Sequence, residues 1–204
     1  LSLEVNPVSL GGGGSAAAQT DSDADGFSDE LELGAGTSPF NSADTPFGAL
    51  PAGTPQALPD TRLGVSLNFA KPDKDSIKLS GTLPIDAGTS VSMQNVVVDV
   101  GGVITIFVLD GKGRAKLADG SSFKLGIRIK DGAVAAQTAK YSAQVKGGNF
   151  AATLADEQLA DEDVKGKPVS ITIHLLFNAR LYEIIDAQSY SARAGKSGKS
   201  SDQR

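Results

Sequence analysis

From residue 61 onward the apolar residues fall at every second position, in short runs bounded by turn residues, and that pattern restricts the chain to β-strands. Leu63, Val65, Leu67 and Phe69 alternate with polar neighbours, as do Phe123, Leu125, Ile127 and Ile129, and again Val169, Ile171, Ile173 and Leu175. Two stretches, 96–98 and 103–109, are apolar apart from Thr105 and read as buried strands. Between the runs stand Asp110-Gly111-Lys112-Gly113, Asp119-Gly120, Asp131-Gly132 and Gly147-Gly148. Asp131-Gly132, set between Ile129 and Val134, predicts a two-residue hairpin, because both central positions of such a turn need positive φ. Only residues 150–161 (FAATLADEQLAD) favour a helix, and a brief one. The pattern places Val97, Phe107, Ile127, Ile129, Ile171 and Ile173 in the core.

About eight strands with this punctuation predict a mainly β fold, an antiparallel immunoglobulin-like β-sandwich over residues 61–192. The chain has neither cysteine nor tryptophan, so the disulfide-and-tryptophan framework of antibody domains is excluded. Residues 193–204 (RAGKSGKSSDQR) show no periodicity and read as a polar C-terminal tail. Residues 45–60 carry Pro46, Pro51, Pro55 and Pro59 and read as a stiff, extended connector. Residues 1–20 combine a short alternating strand, with Leu1, Leu3 and Val5 followed by Val8 and Leu10, and a tether of four glycines at 11–14.

Between tether and connector lies DSDADGFSDELE, residues 21–32, with carboxylates at positions 1, 3, 5, 9 and 12 and glycine at position 6. That is the spacing by which a twelve-residue loop wraps Ca²⁺. Asp21, Asp23 and Asp25 would each supply a side-chain oxygen, Phe27 its backbone carbonyl, Asp29 an oxygen direct or through water, and Glu32 both carboxylate oxygens. Gly26 permits the sharp turn that a Cβ would oppose.

Residues 30–44 continue as ELELGAGTSPFNSAD. Together with the acidic loop this resembles the calcium loops of thrombospondin type 3 repeats and similar EF-hand-like loops of secreted prokaryotic surface proteins. The resemblance spans residues 21–44 and implies a bound Ca²⁺ on the same six residues. It departs from the family in having a single copy, Ala24 in place of a frequent glycine, and Ser38 where aspartate commonly precedes the proline. In tandem arrays an acid of the following repeat completes the shell; here Asp44 is the one available. The glycines before the loop leave no firm incoming helix, and Gly34 and Gly36 stop the outgoing one, so the site is a static clip.

Charge divides the chain. Residues 1–60 hold nine acids and no lysine or arginine, whereas the rest holds fifteen acids and nineteen bases, a balance of +4. The asymmetry suits head-to-tail contact between copies. The lysines are interspersed with acids and aromatics are sparse, which disfavours nucleic acid. No run approaches the roughly 20 apolar residues of a membrane span. The first residue, leucine, suggests a processed chain, and moderate-affinity calcium loops work where the ion is plentiful, so an extracellular or cell-surface location is expected.

No catalytic constellation emerges, and neither an enzyme nor a small-molecule substrate is expected. The single histidine, His174, lies within a strand alternation and reads as facing solvent or packed in the sheet. Asp156-Glu157 and 161–163 read as solvated acidic segments. The expectation is a structural subunit of a calcium-stabilised filament, a head-to-tail homopolymer in which residues 1–10 add as a donor strand to a neighbour. The layout resembles donor-strand filament subunits, and Leu1, Leu3, Val5, Val8 and Leu10 are the assembly residues. The alternative is an adhesive or carbohydrate-binding β module of a larger secreted protein, which three tyrosines and no tryptophan make a poor sugar platform.

Overall fold

The computed structural model describes residues 22–24, 29, 32–33, 36–44, 55–130 and 133–202. The elements are β1 (Gln56–Ala57), β2 (Arg62–Asn68), β3 (Asp75–Ile85), β4 (Asn95–Val100), β5 (Val103–Val108), β6 (Arg114–Lys116) and β7 (Ser122–Leu125). There follow β8 (Ile129–Lys130), β9 (Ala133–Val134), β10 (Gln137–Gly148), a 3₁₀ turn (Thr153–Ala155), β11 (Val164–Phe177), β12 (Arg180–Arg193) and β13 (Ser197–Asp202).

Ten strands hydrogen-bond along one path, β5-β4-β11-β12-β13-β2-β3-β10-β7-β6, and β1 joins it by pairing parallel with β12. The remaining pairs are antiparallel, and β8 and β9 form a separate ribbon. The fold is therefore mainly β and antiparallel. It is barrel-like, and the immunoglobulin-like division into two sheets is not confirmed.

Curvature brings the far ends of the path together. Phe107 on β5 and Phe123 on β7 stand near opposite ends of the strand order, yet their ring centroids lie 5.7 Å apart. Phe123 in turn stacks on Tyr141 of β10 at 6.1 Å. Asp110 donates its N–H to the carbonyl of Arg114 (2.8 Å) across the turn from β5 to β6. Alternation along each strand fills the interior: Leu63, Val65, Leu67, Ile77, Leu79, Ile171, Ile173 and Leu175 are all buried. Each such side chain contributes roughly 1.5–3 kcal/mol.

Hairpins follow from local chemistry. β4 turns into β5 over Gly101 and Gly102, whose φ values of 55° and 84° glycine adopts freely. β11 turns into β12 over Asn178 and Ala179 with φ of 53° and 56°, so Ala179 holds a left-handed conformation that costs an L-residue. Asp75, almost fully buried, ties two loops together: its oxygens accept the N–H groups of Asn68 (2.6 Å) and Phe150 (2.7 Å).

Four expectations need correction. Ile129 is 59% exposed, because strand β7 ends at Leu125 and the chain leaves the barrel for the β8–β9 ribbon; Ile127 is half-buried at that exit. The ribbon itself pairs Ile129 with Val134 as a hairpin across 131–132, two residues outside the described set. Val97 is buried, but on the outer face with Leu176 and Leu181 and not in the main core. Residues 150–161 make no helix beyond the 3₁₀ turn. Leu154 and Leu159 are both fully buried, five positions apart, and an unbroken helix would point them about 140° from each other. Gln158, at φ 63°, breaks the turn so that both face inward.

The domain limits shift as well. The proline-rich connector enters the sheet before residue 60: Leu58 is buried and donates its N–H to Glu183 O (3.2 Å). The supposed tail supplies β13, which lies mid-sheet between β12 and β2. Its backbone pairs with β2 only from Ser197 opposite Asn68 to Lys199 opposite Ser66. Beyond that, side chains substitute. Ser200 Oγ accepts the Val65 N–H and Asp202 Oδ1 accepts the Leu63 N–H, both at 3.3 Å.

Candidate functional site

In the acidic loop the described ligand candidates are Asp23, Asp29 and Glu32; Asp21, Asp25 and Phe27 lie outside the described residues. Asp29 folds back on the loop start, accepting the Ser22 N–H (2.8 Å) on Oδ1 and the Ser22 hydroxyl (2.7 Å) on Oδ2. Ala24 has φ 62°. Glu32 has no exposed surface. Its carbonyl accepts the Thr37 N–H (2.9 Å) while Leu33 O accepts the Gly36 N–H (3.3 Å), and Gly36 sits at φ 79°. Those two bonds and the left-handed glycine form a Schellman stop, which ends the outgoing turn just after Glu32 and fixes its backbone.

Asp44 accepts the Ser38 N–H at 3.0 Å and so closes the next turn of chain. Asp23, Asp29 and Glu32 do not by themselves make a metal-holding cluster, and no such group occurs among the described residues. The donor set nevertheless fits a hard cation: all-oxygen ligands at fixed loop offsets, with the position-12 carboxylate buried. Glu32 stands at loop position 12, where a Ca²⁺ ion would take both carboxylate oxygens.

A second arrangement was not legible in the sequence. On the outer face of the barrel two cross-strand rows lie side by side. Ile106, Val97, Leu176 and Leu181 stand opposite one another across β5, β4, β11 and β12, and the next row reads Ile104, Asp99, His174 and Glu183. His174 Nδ1 lies 3.1 Å from Asp99 Oδ2 and Nε2 lies 3.0 Å from Glu183 Oε2. Asp99 Oδ1 accepts the Gly102 N–H at 2.9 Å. Burial by itself lowers the basicity of the ring, but the hydrogen bonds and charges of Asp99 and Glu183 outweigh it and raise the His174 pKa. With a carboxylate at each nitrogen the imidazolium donates twice. Neither nitrogen is then left as a base, which is the requirement of nucleophilic triads.

Beside this row Glu157 is buried, and burial, followed by the charges of Asp156 and Asp99, pushes its carboxyl up to about 7. It packs against the Gly101 backbone, where an added Cβ would meet its Cγ at 3.0 Å. Cross-strand register joins Asp99, His174 and Glu183, residues far apart in sequence, which explains why spacing along the chain did not disclose them.

The assembly residues Leu1, Leu3, Val5, Val8 and Leu10 lie outside the described residues. No family model, characterised protein or solved structure matches the chain. No helix among the described residues is long and apolar enough to cross a membrane.

Proposed function

We propose that the chain is a structural subunit of a secreted, calcium-stabilised extracellular filament or surface assembly, joined by N-terminal β-strand donation. The observation that carries this reading is the edge strand β5. It ends the strand path, has a strand partner only in β4 among the described residues, and reads VITIFV with no charge or proline to blunt it. Such an edge invites an added strand. Its outward Ile106 continues the apolar row of Val97, Leu176 and Leu181, and Ile104 packs against that cluster, a surface on which an incoming Leu1, Leu3 and Val5 would pack. An edge suffices for donation, with or without an immunoglobulin-like pair of sheets.

The tether of residues 11–20 reaches at most about 33–36 Å, enough to bridge to a second barrel. Calcium on Asp21, Asp23, Asp25, Phe27, Asp29 and Glu32 would hold the angle at which the tether leaves. The role is structural and not catalytic, in keeping with the doubly engaged His174.

The test is removal of residues 1–10, with electron microscopy of the product. A folded protein that no longer forms filaments supports donation, and Val108→Lys, placing a charge on the half-exposed end of β5, should act likewise. Filaments that persist without residues 1–10 at high salt, where charge contacts between copies are screened, would refute it.

A further inference from the structure

We propose that the open groove on the outer face of β2, β3, β10, β7 and β6 docks the acidic first third of a second copy of this chain. The groove encloses about 880 Å³. Its surface consists of two cross-strand rows. One runs Arg62, Ser80, Ser142, Lys124 and Arg114; the next, on the same face, runs Gly64, Lys78, Gln144, Ser122 and Lys116. At the usual strand spacing the five strands span about 19 Å. Five positions are cationic, none is acidic, and the rest are serine, glycine or glutamine, which leave the floor low and able to hydrogen-bond.

A solvated face of a mixed-charge protein ordinarily intersperses its signs. Here the four ion pairs among the described residues involve Lys167, His174 and Arg180, and none of the five groove cations. The carboxylate at the groove wall, Asp110, spends Oδ1 on the N–H groups of Lys112 (2.8 Å) and Arg114 (2.9 Å), and those backbone bonds hold its pKa down. The like charges repel one another until an anion arrives.

The complement is in the same sequence. Residues 1–60 carry nine acids and no base, among them Glu30, which is not in the calcium ligand set. A contact from the acidic front of one copy to the basic groove of the next is heterologous and repeats without closing. It gives the assembly a second, electrostatic contact beside strand donation, and it rests on the reading of the chain as a self-associating subunit. An acidic polysaccharide is the competing occupant, but nothing on the chain specifies one, whereas the acidic segment accompanies every groove.

The experiment uses the chain lacking residues 1–10, so that strand donation does not contribute, in calcium buffer by sedimentation velocity. Concentration-dependent, salt-sensitive association is expected. Lys78→Glu, Arg114→Glu and Lys124→Glu together should weaken it about tenfold or more. Circular dichroism checks that the variant is folded, since all three side chains are exposed. Mixing it with a copy bearing Glu30→Lys should restore part of the association. The proposal is overturned by a shortened chain that stays monomeric at all concentrations, or by association that the triple variant leaves unchanged. It is equally overturned if the triple variant loses binding to alginate, a polyuronate, while its self-association persists. Filament loss on removing residues 1–10 bears on strand donation alone, so the two readings fail separately.

Discussion

The phenol of Tyr190 lies over Gly198 on the neighbouring strand, in the space where any side chain at that position would begin. A Cβ on Gly198 would come within 2.8 Å of Tyr190 Cζ and 2.9 Å of Cε2. The ring cannot retreat easily, because its hydroxyl donates to Ala160 O at 2.8 Å and ties the 150–161 segment to the sheet. Tyr190 is fully buried, and that burial pushes its pKa up to about 12, so it remains a donor throughout the physiological range. The glycine is thus what lets β13 sit in the middle of the sheet.

Gly198→Val should therefore cost about 1–3 kcal/mol or more from overpacking. Gly64→Ala, where an added Cβ meets nothing within 4 Å, should cost far less. Denaturant unfolding of both variants checks the contrast, and equal losses would show that the ring is free to move.

Stability should fall as pH rises from about 5 through about 7 and beyond, because two groups bind protons more tightly when folded. Glu157 contributes fully below its ordinary value of 4.5, and its contribution is lost as pH rises through about 7. His174 contributes fully below 6.5 and loses its contribution as pH rises through its raised folded value. Glu157→Gln and His174→Gln should each remove part of this fall in Tm, and the double variant most of it. A Tm that climbs across this window would contradict both assignments.

Calorimetry should detect one Ca²⁺ per chain at millimolar concentration. Removing the Asp23 ligand with Asp23→Ala should weaken binding by at least the roughly 10–100-fold that a supporting residue alone can cost. Chelation should loosen the 21–44 segment before the barrel melts. Absence of any calcium heat would remove the metal from this account.

Ile129→Ala should be nearly neutral, within about 0.5 kcal/mol, as a surface substitution is. Ile171→Ala, at a fully buried site in β11, should cost about 2–5 kcal/mol. Parallel urea titrations decide it; a large loss at Ile129 would place that residue against a partner surface.

Strand type and the principal core were readable along the chain, because a period of two is a local property and burial of one face follows from it. Phe107, Ile171 and Ile173 lie in the core as the pattern places them, and Ile129 and Lys130 pair with Val134 and Ala133 on either side of positions 131–132. The glycine stop at Gly36 is local in the same way, and so is the proposed ligand set of the acidic loop, whose offsets lie within twelve residues. Where the alternation misled, at Ile129, the strand had already ended at Leu125, a break that no side-chain pattern marks. The rest depends on distant segments meeting. β13 has no apolar signal because its inward positions are Gly198 and Ser200, filled by Tyr190 and by the bond to Val65. The contact of Phe107 with Phe123 requires the whole sheet to curl. The row Asp99, His174 and Glu183, like the basic rows of the groove, arises from strand register. Register is a sum of backbone pairings and core packing over the entire sheet, and no short window of residues contains it.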